Sequence, residues 1–176
     1  MTTSREQALE WLSGQWAERG IEGVVVKRLN ERYRPGVRAW RKVRTRVSTE
    51  AVIGAITGRG SRPETLLLGR FDASGRLQYV GRTTALSGPA AKALAAELVP
   101  SPAGHPWEGR RFSVSWSSRE TLDVALVSPD LVAEISADST QNAGKWRHPL
   151  RFLRTRPDML PKDAPPFGAG DVAGAG

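Results

Sequence analysis

The sequence predicts a mainly β protein: a partly open Greek-key barrel with one helix, preceded by a small α/β piece of one helix and two strands. Three observations predict it. Runs of five to seven residues rich in Val, Ile, Leu and Thr recur between 51 and 156, separated by Gly, Pro, Asp and Ser. One Ala/Leu-rich segment, 89–98, follows the third of these runs. Ahead of them stand a helical pattern and two strands that cannot enclose a core alone.

The elements follow in chain order. Residues 4–19 read as an amphipathic helix, with Ser4 and Gln7 at capping-box spacing, Ala8, Leu9, Leu12 and Trp16 at helical spacing, and Gly20 as a stop. Residues 21–28 are a β-branched strand, Tyr33-Arg34-Pro35-Gly36 is a turn signal, and 40–46 alternates large and basic residues as a second strand. Strands are then expected at 51–57, 65–71 and 77–82, the last two joined through Asp72-Ala73-Ser74-Gly75. The helix at 89–98 comes next, then a loop from Pro100 to Gly109, then strands at 112–116, 122–127, 131–137 and 152–156. Three strands, a helix and further strands is the order of an OB-type barrel. The Pro/Gly/Ala-rich tail, 161–176, is expected to lack fixed structure. The expected units are therefore 1–47, 48–160 and 161–176.

Composition narrows the function. The chain has 176 residues, 39% hydrophobic and 25% charged, enough for one domain and a small appendage. It has no cysteine, which excludes disulfides and thiolate metal sites. The start leads into no apolar leader segment and no apolar run is long enough to span a bilayer, so a cytoplasmic protein without a membrane partner is expected. The net charge of +8 is unevenly spread: residues 21–46 hold nine Lys/Arg against two Glu, and 144–160 hold five Lys/Arg against one Asp. Two basic blocks on a near-neutral body point to a phosphate-rich partner, since each cation seated on a phosphate releases condensed counterions. A solvated basic surface that serves solubility is the plainer alternative.

Two short motifs sharpen this. Glu22-Gly23-Val24-Val25-Val26-Lys27 resembles nucleotidyltransferase motif IV of ATP-dependent DNA ligases, and Trp40-Arg41-Lys42-Val43-Arg44 resembles motif V, with Tyr33, Pro35, Gly36 and Arg38 in the link between them. Cations at i and i+2 of a strand project to one face and can clamp one phosphate. A carboxylate beside them can bind a divalent ion at that phosphate. From about Ala51 to Asp158 the chain resembles the OB domain of actinobacterial ligases, in segments such as Leu67-Leu68-Gly69-Arg70-Phe71, Tyr79-Val80-Gly81-Arg82-Thr83, His105-Pro106-Trp107 and Leu131-Val132-Ala133-Glu134-Ile135. Arg156-Pro157-Asp158 resembles motif VI, with Met159 where many members have Lys.

The resemblance implies roles. Residues 1–47 would be a remnant of the adenylation domain and 48–160 the OB domain. Glu22 would meet the metal. Lys27, Lys42, Arg44, Arg156 and Asp158 would line the nucleotide-phosphate site, the last two orienting the pyrophosphate leaving group. Nicked duplex DNA would meet Arg38, Arg41, Lys42, Arg44, Arg46, Lys145, Arg147 and Arg151. ATP and magnesium are implied by the family alone, and neither is expected to bind tightly to this chain by itself. DNA repair and recombination are the implied setting.

Other residues read as structural. His105 and His148 each precede proline and form no zinc site. Trp107, Trp116 and Trp146 are expected in packing, although an aromatic on an OB face can stack on nucleotides. Gly58-Arg59-Gly60 lacks phosphate-loop spacing.

The ligase nucleophile is a lysine in Lys-x-Asp/Asn-Gly. None of Lys27, Lys42, Lys92, Lys145 and Lys162 begins that motif, so no catalytic residue is assigned and ligation by this chain alone is not expected. Three readings stay open: half of a ligase completed by a separately encoded or upstream adenylation half, a non-enzymatic DNA-binding module, or an OB protein for RNA or a protein partner.

Overall fold

Ser4 starts the first helix, its hydroxyl accepting from the Gln7 amide at 3.2 Å, the contact its spacing predicts. The structure, a computed structural model, describes residues 1–13, 16, 21, 23–32, 34–37, 39–114, 120–138 and 141–169. Helix α1 spans Arg5–Trp11, and β1 (Gly23–Val26) and β2 (Arg41–Arg44) form an antiparallel hairpin. The Thr45 hydroxyl, buried where the hairpin enters the barrel, donates to the Leu12 carbonyl at 3.3 Å and ties the end of the helix to that junction.

The barrel begins with β3, Arg46–Arg59, a strand of 14 residues and longer than its sequence signal at 51–57. Against it run β4 (Arg62–Phe71), β5 (Leu77–Arg82), the short β6 (Ala125–Leu126), β7 (Val132–Asp138) and β10 (Arg151–Thr155), in the order β10-β7-β3-β4-β5 with β6 also on β3. All these pairings are antiparallel. The open edges meet at a parallel bridge between Thr83 and Leu150, where the Leu150 amide donates to the Arg82 carbonyl at 2.9 Å and the Thr84 amide to the Leu150 carbonyl at 2.7 Å. This closes the Greek-key barrel of OB type that the element order predicts. Helix α2 (Gly88–Glu97), capped by Ser87 and with Pro89 in its first turn, plugs one end with Leu94.

A β-bulge decides what β3 buries. Pairing with β4 shifts between Ile53 and Ala55, so Ala51, Ile53 and Ile56 face the barrel interior while Val52 and Ala55 face outward. The outward face is covered as well, because the loop after α2 lays Trp107 across Gly54 and Gly69. A Cβ at Gly54 would stand 2.5 Å from the indole, and one at Gly69 2.8 Å. The two glycines in neighbouring strands form the slot, and the indole N–H donates to the Leu77 carbonyl at 2.8 Å. Trp107 and Trp146 are buried in packing, as expected, while Trp116 lies outside the described residues.

Several sequence expectations are corrected. The first expected boundary, between 47 and 48, falls inside β3. Of the strand expected at 122–127 only Ala125–Leu126 forms a strand, with Val127 making a single bridge to Pro100, and the one expected at 112–116 reduces among the described residues to a bridge between Ser113 and Thr121. A small hairpin, β8 (Gln141–Asn142) and β9 (Lys145–Trp146), turns through Ala143 and Gly144, both at positive φ; strands of two residues leave no readable period. The tail does not lack structure up to residue 169. Pro161–Asp163 forms a 3-10 turn, Ala164 is buried beside the Trp107 cluster, and the Phe167 amide donates to the Phe71 carbonyl at 2.9 Å with its ring against Gly144. Burial of two apolar side chains outweighs a composition that by itself favours disorder.

Candidate functional site

The hairpin register sets the first group of cations. Gly23 opposes Arg44, Val25 opposes Lys42, and the same register carries Lys27 to Trp40, where the ammonium lies 3.7 Å from the ring centroid. Directly opposed residues share a face, so Lys27, Lys42 and Arg44 project together, with Arg41 on the reverse side. Lys42 and Arg41 make no ion pair among the described residues. Both sides of the hairpin are open to solvent: Val25 and Val26 are each 51% exposed, and Trp40 and Val43 are also exposed.

Arg44 is already engaged. Its guanidinium lies 2.6 Å from the Asp138 carboxylate, which also faces Arg46 at 3.7 Å. Four residues earlier on β7, Glu134 accepts from the Ser48 hydroxyl at 2.8 Å and from Arg154 at 2.7 Å. These hydrogen bonds, Ser48's first, hold the Glu134 carboxyl below its ordinary value. Arg156 completes the row. It donates to Glu50 at 2.9 Å, lies 4.0 Å from Glu134, and grips Asp158 through Nε and a terminal nitrogen. The Arg156 hydrogen bonds lower the Asp158 carboxyl to about 2, and Asp158 in turn raises Arg156. Because β7 residues 134 and 138 share a face, one outer wall of the barrel carries both the Arg44 and the Arg156 contacts, about 13 Å apart along the strand. Sequence spacing could not place Arg44 and Arg156, more than a hundred residues apart, on one wall.

The remaining expected site residues divide. Glu22 and Arg38 lie outside the described residues. Arg151 is exposed on β10 opposite Ser136. Lys145 and Arg147 are not with the hairpin; they border a cleft of about 340 Å³ at the barrel seam, together with Arg82, Arg110 and Arg111, which the sequence reading missed. Their one signal was that Arg110 and Arg111 are adjacent. His105 is structural, its Nδ1 accepting from the Trp107 amide at 2.9 Å, and burial pushes its pKa down. Arg70, 2% exposed, donates to the Thr49 hydroxyl at 2.6 Å and the Glu50 carbonyl at 3.0 Å and lies over Trp146.

The donor set suits an anion. Lys27, Lys42 and Arg44 fit a phosphate, whereas no group of three or more His, Asp or Glu among the described residues could hold a metal ion. No helix among them is long and apolar enough to cross a membrane.

The family model described as ATP dependent DNA ligase C terminal region matches residues 59–159. DNA ligase C1 of Mycolicibacterium smegmatis is 32% identical over 168 residues, covering 90% of this chain and 47% of that protein. The multifunctional non-homologous end joining DNA repair protein LigD of Mycobacterium tuberculosis is 34% identical over 151 residues, 82% of this chain and 19% of its own length. The crystal structure of the ligase domain of that species' LigD superposes with a TM-score of 0.54 at 29% identity, covering 84% of this chain and 48% of the other. The chain thus spans about half the length of the ligase C relative and of the solved ligase domain. It belongs to the family of the C-terminal region of ATP-dependent DNA ligases.

Proposed function

We propose that this chain is the DNA-contacting, OB-fold part of an ATP-dependent ligase in repair or recombination, which engages nicked duplex DNA and works with an adenylation half. The observation that carries the reading is the shared face of Lys27, Lys42 and Arg44 on a hairpin joined to the barrel wall of Arg156. These cations would hold a nucleotide phosphate, and bound ATP would supply the adenylyl group for end activation. Arg156 would reach the leaving pyrophosphate after exchanging Asp158 and Glu50 for it. The exposed apolar residues Val25, Val26 and Val43 support an adenylation half as the partner of the hairpin. Residues 1–47 and the barrel act as separate functional units in this reading, although β3 runs across their boundary.

Binding to a nicked duplex tests it. Log affinity should fall linearly with log salt, and changing Arg41, Lys42 and Arg44 together to Ala should lower the slope by roughly 0.9 for each phosphate that is no longer neutralised. A slope unchanged by that variant removes the hairpin from the DNA interface. With ATP and magnesium the 176-residue chain should form no covalent AMP adduct, as no lysine in it begins Lys-x-Asp/Asn-Gly; label transfer from α-labelled ATP would show otherwise.

A further inference from the structure

The cleft at the barrel seam is assembled from three distant segments. Gly81 and Arg82 come from the end of β5, Arg110 and Arg111 from the loop that carries Trp107, and Lys145 and Arg147 from β9 and the turn after it. Among the described residues five that line it are Lys or Arg and none is Asp or Glu. Two of the arginines are held in place: Arg82 donates to the Val114 carbonyl at 3.2 Å, and Arg110 lies 5.4 Å from the ring centroid of Phe112 and 5.9 Å from that of Tyr79. A cation held this way loses little side-chain freedom when it binds. Cations of one sign around a concave, low-dielectric wall concentrate the field at its mouth.

We infer that this cleft is a second DNA site, which takes the sugar–phosphate backbone of one strand independently of the β1–β2 hairpin. Arg110 and Arg111 on one loop and Arg147 on another are exposed and line two banks of an opening. A small anion would need donors converging on one point; a strand passing between the banks meets these cations in succession. The cleft shares no residue with the hairpin or with the Glu50–Glu134–Arg156 row. The inference rests on the nucleic-acid reading above and assigns it a second binding surface.

The test is fluorescence anisotropy of a labelled nicked duplex between 50 and 200 mM salt, with the full chain. Arg111→Gln with Arg147→Gln should lower the log–log slope by about two, at roughly 0.9 per neutralised phosphate, and adding Arg110→Gln should lower it further. The double variant leaves the Arg110–aromatic stack intact, so unchanged circular dichroism certifies its fold. A hairpin variant, Arg41→Ala with Lys42→Ala, runs in parallel. Loss of slope in the cleft variants supports the site whatever the hairpin variant does. An unchanged slope in the cleft variants beside a lowered one in the hairpin variant overturns the cleft and leaves the DNA reading standing. Wild-type binding that is insensitive to salt overturns both.

Discussion

Arg156 holds Asp158 two residues away in a forked grip, Nε to Oδ1 at 2.9 Å and a terminal nitrogen to Oδ2 at 2.8 Å, while its other terminal nitrogen reaches Glu50 at 2.9 Å. The expected pyrophosphate contact is therefore occupied by carboxylates of the same chain, and an incoming anion must displace them. The Asp158 carboxyl is lowered from 3.8 to about 2 by this grip. Its contribution to stability is fully present above pH 3.8 and declines as pH falls toward 2. Carboxyl titration by NMR should find Asp158 low in the wild type and near its ordinary value in Arg156→Gln.

The Gly54–Trp107 contact makes a steric prediction. Gly54→Ala places a methyl where the indole lies, so the loop must lift or the strand must shift. Urea unfolding should show a loss of about 1–3 kcal/mol. Trp107→Ala should cost about 3–5 kcal/mol by leaving a cavity under the loop. A Gly54→Ala protein as stable as wild type would mean that the indole does not sit in that slot.

His105 predicts a pH dependence with a definite sign. Burial depresses its pKa below 6.5, so the unfolded chain takes up a proton first as pH falls. The stability tied to neutral His105 is present above pH 6.5 and declines as pH drops below it. Thermal unfolding between about pH 7.5 and 5 should show this decline, and His105→Asn should flatten it.

Backbone protection should divide the chain. Among the described residues the β1–β2 hairpin is paired on one side only and β2 is exposed throughout, while residues 51–57 of β3 are buried on both faces. Hydrogen exchange should be much faster in 23–26 and 41–44 than in 51–57. Uniform protection across both would mark the hairpin as an integral part of the barrel rather than a piece awaiting a partner.

Local rules made much of this protein legible from its sequence. Ser4 and Ser87 cap their helices because a hydroxyl at that position meets an orphan amide, and Asp72-Ala73-Ser74-Gly75 turns where it was expected to. Lys42 and Arg44 share a face because a strand has a period of two. The family resemblance rested on contiguous motifs of the same local kind. What only the tertiary structure decided depends on register and long-range contact. The bulge beside Gly54 reverses which side chains of β3 face inward, and no spacing rule announces it. The carboxylates that hold Arg44 and Arg156 come from β3, β7 and the turn after β10, and the seam cleft joins residues near 82, 111 and 147. Phe167 is ordered because Phe71 and Gly144 receive it, although its Pro/Gly-rich neighbourhood by itself predicts disorder. The sequence determined the elements and the charges they carry, while barrel closure determined which charges meet, because that choice depends on packing between residues far apart in the chain.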